Sequence, residues 1–515
     1  MALIDFFDRG WRRNRDGLAY VMGQEAWTFE EARIYTCRVA VGVRRLAHGM
    51  EGTAAVLAPN SPAAWMCVLG IWRAGLAWLP LNPGYPPKVL ADHLRRFDGR
   101  LVFFDSRLLN EVMELQADLS RHGSKVKFVC LDEPIESFES VTDWSDTSCA
   151  EAETNSIVAI MPTGGTTGRP KGVVVTQQNA TAFVSHVLAE FTYKADEKIV
   201  NLAAAPLTHT AGMLSIPASA RGGTVAMLER ADPRAILKAI ETYGVTETFL
   251  PPTVIYRLLE QGDVSQYDLA SLKYLLYGAA PMSTAKLKQA LTVFGPVMME
   301  GYGQTEAFAS IAVLRPEEHF LNGSPAPDTR LKSCGRPSTY IDLRIINEAG
   351  ETAEPGETGE ICVRGDVVTP GYYKDPEQTA ATIIDGWLHT GDVGHLDEAG
   401  YLYITDRKKD VIITGGLNVY PAEVEQVLWS HPGVADCAVV GIPDDDWGER
   451  VVAVIETTDG QPIDNAEVLA WCRSELGAVK TPKELFQVDS LPRSPNGKVM
   501  RREAALLFRE TQRRQ

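Results

Sequence analysis

The chain has 515 residues, too many for one ordinary hydrophobic core, and that length suggests about two to four domains. Hydrophobic residues make up 45% and charged residues 23%, which excludes a disordered chain. A formal net charge of −17 argues against a nucleic-acid binder, whose affinity comes largely from cations paired with phosphates, but allows a small anionic ligand held by a few local lysines.

Along the chain, residues 1–15 carry Asp5, Asp8 and several arginines, so no signal peptide is expected. Thr28-Phe-Glu-Glu31 reads as a capping box that opens a helix, because Thr28 and Glu31 can satisfy each other's backbone donors. Ala63 to Leu81 is nearly all apolar. Arg73 lies inside it, Gly70 and Gly75 interrupt it and Pro80 closes it, so a buried helix followed by a buried strand is expected rather than a membrane span.

Ala54–Ala58, Leu101–Asp105 and Ile157–Met161 are short apolar runs ending at turn residues and read as buried strands. Helical patterns lie between such runs, for example Ala182–Glu190 and Ala235–Tyr243. This alternation predicts α/β layers with largely parallel sheets through the first four hundred residues or so. From Asp342 short strands (Asp342–Ile346, Gly359–Arg364, Tyr401–Thr405) split by Gly, Pro and Asp suggest a smaller β-rich subdomain. The end restarts as a compact α+β unit, with helices Pro421–Ser430 and Ala466–Leu476 and strands Asp436–Gly441 and Val451–Glu456. A boundary is expected in the charged cluster Asp406–Asp410. The basic tail from Arg501 to Gln515 reads as a solvated helix end. Cys37, Cys67, Cys130, Cys149, Cys334, Cys362, Cys437 and Cys472 show no CxxC pair and no metal-ligand spacing, so reduced thiols in a cytoplasmic protein are expected.

Thr163-Gly-Gly-Thr-Thr-Gly-Arg-Pro-Lys-Gly172 carries the most chemistry. Its glycines free the backbone, its threonines and N–H groups donate, and Lys171 is a cation, which together suit a polyphosphate. It lacks the GxxxxGK[ST] pattern, and alone it would equally be a surface turn. Glu300-Gly-Tyr-Gly-Gln-Thr-Glu306 offers an aromatic face for a purine and a carboxylate for Mg²⁺. Leu388-His-Thr-Gly-Asp392 places a carboxylate at a turn, suited to a ribose diol, and Pro492-Arg-Ser-Pro-Asn-Gly-Lys498 ends on a loop lysine.

In this order the segments resemble the superfamily of adenylate-forming enzymes: acyl- and aryl-CoA synthetases, nonribosomal adenylation domains and insect luciferases. The likeness covers nearly the whole chain and extends to Pro206-Leu-Thr-His209, Gly278-Ala-Ala-Pro281, Gly335-Arg-Pro337, Gly359-Glu360, Gly371-Tyr-Tyr373 and Trp387. The resemblance implies a large adenylation domain over residues 1–408 and a mobile C-terminal lid over 409–515. Thr163, Gly164, Gly165, Thr166, Thr167, Gly168 and Lys171 would form the phosphate loop. Tyr302 would stack on adenine, with Gly278, Ala279 and Ala280 along the purine edge and Gly303 beside it. Thr305 would contact phosphate, and Glu306 and Thr166 would attend the Mg²⁺.

Asp392 and Arg407 match the ribose-binding pair, Lys498 the catalytic lysine, and His209 the histidine near the carboxylate-binding mouth. Lys409 matches the hinge. Gly415, Gly416 and Leu417 would line a pantetheine passage, and Trp447 would stack on the CoA adenine. The acyl pocket is expected around His209, Thr210, Met213, Pro252, Gly278, Gly303 and Phe308, without an acidic residue to mark an amino-acid substrate.

The sequence departs from the family at two points. Pro162-Thr-Gly-Gly replaces the usual aromatic-Thr-Ser-Gly, removing one hydroxyl, and Val479 replaces an aromatic before Lys-x-Pro. The implied cofactors are ATP, Mg²⁺ and CoA, and the implied partner is a fatty or aromatic carboxylic acid. No nucleic acid and no transmembrane segment are expected, and a homodimer stays open. Because the sequence ends soon after Lys498, a diffusible thiol is the simpler acceptor. Two alternatives remain: a stand-alone enzyme that loads a carrier-protein thiol, and a nucleotide-binding relative that has lost catalysis. Lys498, Glu306 and Asp392 argue against the second.

Overall fold

The computed structural model describes residues 1–48, 51–148, 156–163, 170–308, 311–494 and 499–514. Among these the chain folds into layered α/β sheets followed by a smaller C-terminal unit. Thr28 does form the capping box with Glu31 and starts the helix Phe29–Leu46. The apolar run from residue 63 divides as expected into the helix Pro62–Arg73 and the strand Ala77–Pro80. Arg73 survives inside it because Asp8 pairs with its guanidinium at 2.6 Å, so the buried charge is compensated. Trp65, Trp72 and Trp78 of the same run pack edge to face, with centroids 5.8 to 6.0 Å apart. No helix among the described residues is long and apolar enough to cross a membrane.

A seven-stranded sheet places Gly99–Phe104, Thr53–Leu57 and Ala77–Pro80 at its centre as parallel strands. Their side chains are buried on both faces, which explains the continuous apolar runs. At one end Ile157–Thr163 pairs antiparallel with Lys171–Thr176, so that Thr163 faces Lys171 across the ladder. A nine-stranded sheet runs from Glu25–Thr28 and Leu18–Met22 through Thr224–Met227, Val200–Ala203, Glu247–Leu250 and Tyr274–Gly278 to Met298–Tyr302. It closes with the antiparallel strands Ala312–Leu314 and Arg336–Pro337. The segments that carry His209, Pro252, Gly278 and Tyr302 leave this sheet at the carboxyl ends of its parallel strands, where open α/β sheets bind ligands.

The β-rich subdomain is a five-stranded sheet in which Gly359–Arg364 and Leu402–Arg407 flank Trp387–Leu396. From Ile412 onward the chain builds its own sheet and its own apolar cores, one of them around Val424, Val439, Val451, Ala453, Ile455 and Cys472.

Four expectations need correction. Asp392 does not sit at a turn but within the ten-residue strand Trp387–Leu396, since Gly391 takes φ +70° and the ladder continues past it. The helix before Glu190 begins at Gln177, because Thr176 caps it through Asn179. Cys37 is disulfide-bonded, whereas Cys67, Cys130, Cys334, Cys362, Cys437 and Cys472 are free and buried; Cys149 lies outside the described residues. The basic tail is a packed helix rather than a solvated end: Ala504 and Phe508 are buried against the C-terminal sheet, and Arg501 is ion-paired.

Candidate active site

The strand pair Trp387–Leu396 and Leu402–Arg407 sets Asp392 directly opposite Arg407. Arg407 Nε lies 2.5 Å from Asp392 Oδ1. Tyr302, the last residue of Met298–Tyr302, donates its hydroxyl to Asp392 Oδ2 at 2.7 Å. Burial and the neighbouring carboxylate push the Tyr302 phenol well up, so it stays a neutral donor. The hydroxyl of Thr390 accepts from Asp392 N at 3.1 Å and fixes the backbone there. Asp392 is buried, and an ionised carboxylate offers about four acceptor sites, which suits it to gripping paired hydroxyls.

Tyr302 leads through Gly303 into the turn Thr305–Ala307, which carries Glu306. Tyr372 donates its hydroxyl to Glu306 Oε1 at 2.9 Å. Lys171 Nζ lies over the Tyr372 ring, 5.0 Å from its centroid. Backbone bonds stitch these segments together: Thr369 N donates to Glu306 O at 2.8 Å, Tyr373 N to Gly172 O at 2.7 Å, and Tyr372 forms a bridge with Val173. Gly172 is needed here, since a Cβ would lie 2.5 Å from the Phe97 ring. Asp392, Arg407, Tyr302, Glu306, Tyr372 and Lys171 thus form one connected run of side chains and backbone.

Glu300, two residues before Tyr302, faces Tyr277 on the adjacent strand. The Tyr277 hydroxyl lies 3.3 Å from Glu300 Oε2 and 2.9 Å from His319 Nε2. His319 Nδ1 lies 2.9 Å from Arg315 O, a pure acceptor, so Nδ1 carries the proton and Nε2 accepts from Tyr277. Burial holds His319 down at about 4 and lifts Glu300 to about 8. The Tyr277 hydroxyl thus stands as donor between two acceptors, His319 Nε2 and, at the longer distance, Glu300 Oε2.

Gly278 and Ala279 have φ of +159° and +65°, and a Cβ at Gly278 would lie 2.3 Å from Gly301 O. The segment Gly278–Ala280 therefore runs hard against the strand of Tyr302, with left-handed backbone at Ala279 that the fold must hold in place. Ala280 follows, and Thr305 begins the turn before Glu306. His209 occupies the N-cap position of the helix Thr210–Ala220, on which Met213 is buried. Pro252 opens the helix Pro252–Leu259, and Phe308 packs edge-on against Phe183 at 5.4 Å. Gly164, Gly165, Thr166, Thr167, Gly168 and Lys498 lie outside the described residues. Thr163 ends its strand and donates its hydroxyl to Lys171 O at 3.4 Å.

In the C-terminal unit Gly415 and Gly416 form a left-handed turn between Ile412–Thr414 and Leu417–Val419. Gly415 N donates to Trp447 O at 2.8 Å, and a Cβ at Gly415 would lie 2.9 Å from the Trp447 ring. Leu417 and Trp447 are 54% and 50% exposed, so this turn is open to solvent in the arrangement seen. Lys409 lies in the turn that follows Arg407.

Sequence reasoning gave no role to Tyr372, although it lies in the quoted Gly371-Tyr-Tyr373, nor to the Tyr277–His319 pair. It also passed over the Thr208 hydroxyl and the Gln304 amide nitrogen, which are buried without a hydrogen-bond partner among the described residues, in the segments that carry His209 and Glu306. No periodicity or spacing signals Tyr372 or the Tyr277–His319 pair, because their significance lies in contacts between distant segments, and burial of the Thr208 and Gln304 atoms is visible only once the chain is folded.

The sheet arrangement, the Asp392–Arg407–Tyr302 cluster and the Glu306 turn define an adenylate-forming enzyme. The pattern of the AMP-binding enzyme family matches residues 7–373, and that of the AMP-binding enzyme C-terminal domain matches residues 423–498. The chain belongs to the AMP-binding enzyme family. A feruloyl-CoA synthase from Amycolatopsis sp is 36% identical over 492 residues, covering 94% of this chain and 95% of that protein. The medium/long-chain-fatty-acid–CoA ligase FadD8 of Mycobacterium tuberculosis is 39% identical over 356 residues, 68% of this chain and 61% of that protein, so the match spans less than two thirds of its length. Among solved structures, the amide bond synthetase McbA from Marinactinospora thermotolerans superposes with a TM-score of 0.89 at 30% identity, covering 98% of this chain and 99% of that one.

Proposed function

We propose that this protein is an ATP-dependent acyl- or aryl-CoA synthetase. A carboxylate is a poor electrophile because its charge is delocalised. Its oxygen attacks the α-phosphorus of ATP, the bond to the β,γ-diphosphate breaks, and acyl-AMP and pyrophosphate form. The thiol of CoA then attacks the acyl carbon, its proton is lost, and AMP departs with the bonding pair. The first step needs positioning and charge neutralisation more than covalent help.

The observation that supports this reading best is the Tyr302–Asp392–Arg407 cluster beside Glu306 and Lys171. Asp392 would accept from the ribose hydroxyls, Tyr302 would lie under the adenine, and Lys171 would face the phosphates with Thr163, Gly164, Gly165, Thr166, Thr167 and Gly168. Lys498 would stabilise charge between carboxylate and phosphate, and His209 would stand at the acyl mouth. The donor set fits Mg²⁺: Tyr372 occupies one oxygen of Glu306, and the other is a hard donor of the kind Mg²⁺ takes alongside substrate phosphates. Bound there, Mg²⁺ would neutralise the departing pyrophosphate.

Residues 1–408 would hold ATP and acid. Residues 409–515 would turn about Lys409 to bring first Lys498 and then the Gly415–Gly416–Leu417 passage to the adenylate, with Trp447 against the CoA adenine. The relatives point to a fatty or aromatic acid, a cytoplasmic setting is consistent with an intracellular thiol acceptor, and a homodimer is compatible with either.

The likeness to an amide bond synthetase supports a second reading, in which an amine consumes the adenylate, beside the carrier-protein thiol as acceptor. The deciding experiment is a panel of medium-chain and hydroxycinnamic acids scored by ATP–pyrophosphate exchange, then by product formation with CoA, simple amines and an acyl-carrier protein. Exchange with an acid followed by thioester formation with CoA supports the proposal. Absence of exchange with every acid, despite ATP binding, would leave a nucleotide-binding protein without this chemistry.

A further inference from the structure

We propose that Tyr372 is a positioning residue that holds the Glu306 carboxylate and the Lys171 ammonium apart, so that each keeps its charge for metal and phosphate. The inference rests on the reading of Glu306 as the metal-side carboxylate and Lys171 as a phosphate cation.

The geometry uses two different parts of one ring. The hydroxyl, in the ring plane, donates to Glu306 Oε1 at 2.9 Å, while the π face carries Lys171 Nζ at 5.0 Å from the centroid. A neutral donor orients a carboxylate without cancelling its charge, and a ring quadrupole attracts an ammonium without neutralising it. Among the described residues no ion pair joins Lys171 to Glu306: Lys171 lies on the ring face and Glu306 accepts from the hydroxyl. A direct pair would cancel both charges and would have to be broken before a metal–polyphosphate complex could settle. A phenol is neutral near pH 7 by its own chemistry, so the hydroxyl that faces Glu306 Oε1 serves as a donor.

The backbone holds Tyr372 in register with both partners. The Val173 bridge and the Tyr373 N to Gly172 O bond lock it to the strand that begins with Lys171. Tyr372 N donates to Thr379 Oγ1 at 2.9 Å, and Thr369 N donates to Glu306 O at 2.8 Å, which ties the same segment to the Glu306 turn.

The test compares Tyr372→Phe, Tyr372→Leu and Glu306→Gln in the full chain. One readout is Mn²⁺ binding, by paramagnetic resonance, in the presence of a non-hydrolysable ATP analogue. The others are the Mg²⁺ dependence of ATP–pyrophosphate exchange and the melting temperature. Tyr372→Phe keeps the ring over Lys171 but loses the donor, so metal affinity should fall about three- to tenfold with the KM for ATP nearly unchanged. Tyr372→Leu loses the face as well, so the KM for ATP should also rise. If Glu306→Gln weakens Mn²⁺ binding and Tyr372→Phe does not, the positioning role is overturned while the functional reading stands. If Glu306→Gln leaves Mn²⁺ binding unchanged, the metal assignment fails and the proposal fails with it. A lower melting temperature in Tyr372→Phe with unaltered metal affinity would show a merely structural tyrosine and would also overturn it.

Discussion

Arg501 Nη1 lies 2.7 Å from Asp406 Oδ1, and this contact joins the start of the last helix to the strand end just before Lys409. The same guanidinium grips Glu425 with Nε at 2.9 Å and Nη2 at 2.6 Å. Asp406 and Glu425 are both buried, and Asp406 also accepts from Ala422 N at 2.6 Å. One cation therefore compensates two buried carboxylates on opposite sides of the Lys409 turn.

Removing that cation leaves both carboxylates uncompensated. Arg501→Ala should destabilise the C-terminal unit by about 3–5 kcal/mol, the usual cost of breaking a buried pair from one side. Chemical denaturation followed by tryptophan fluorescence measures it. Arg501→Lys should recover only part of the loss, because an ammonium cannot reproduce the bidentate fork. A loss below about 1 kcal/mol in Arg501→Ala would mean the pair is well solvated.

Asp392→Ala should weaken ATP and an acyl-adenylate analogue together, since both carry the same ribose. The lost hydrogen bonds are worth about 1.5–3 kcal/mol, or roughly ten- to a hundredfold in affinity. Isothermal titration with each ligand checks it, and an unchanged ATP affinity would remove Asp392 from the ribose site. Tyr302→Phe should show a smaller effect, because it removes one contact to Asp392 without removing the carboxylate.

Lys409→Pro separates the two half-reactions. Proline fixes φ near −65° and so restricts the turn to one backbone arrangement. Acyl-adenylate formation should persist while transfer to CoA falls sharply, and Lys409→Ala should leave both steps close to wild type. Equal losses in both steps would show that Lys409 belongs to a solvated charge run rather than a hinge.

Glu300 makes stability depend on pH. Its ordinary value of 4.5 is raised to about 8 by burial, so the folded state binds the proton more tightly than the unfolded state. Its contribution is fully present below about pH 4.5 and is lost as the pH rises through about 8. Glu300→Gln removes the titration, so its melting temperature should fall less than that of the wild type between about pH 5 and pH 8. Parallel melting curves for the two proteins across that range would place the Glu300 carboxyl in water.

Several local elements were legible in the residues themselves. The Thr28–Glu31 cap, the helix-then-strand division around Arg73 and the strands Asp342–Ile346 and Gly359–Arg364 follow from side-chain patterns that act over a few residues. The candidate site was legible in part, because Lys171, Tyr302, Glu306, Asp392 and Arg407 stand in motifs whose residue types state their chemistry. Asp392 was misplaced at a turn because Gly391 reads locally as a break, whereas the ladder to Leu402–Arg407 carries the strand through it.

By itself, then, the sequence determined the layered α/β class, the capping and the residue types of the candidate site motifs, since these depend on periodicity and on residue chemistry within short windows. Only the tertiary structure decided which of those groups meet. Tyr372 lies 66 residues from Glu306 and Arg501 lies 95 from Asp406, and no local pattern encodes such pairs. They arise because distant strands and turns pack together, and because a buried carboxylate or ammonium must find its partner wherever the fold brings one within reach.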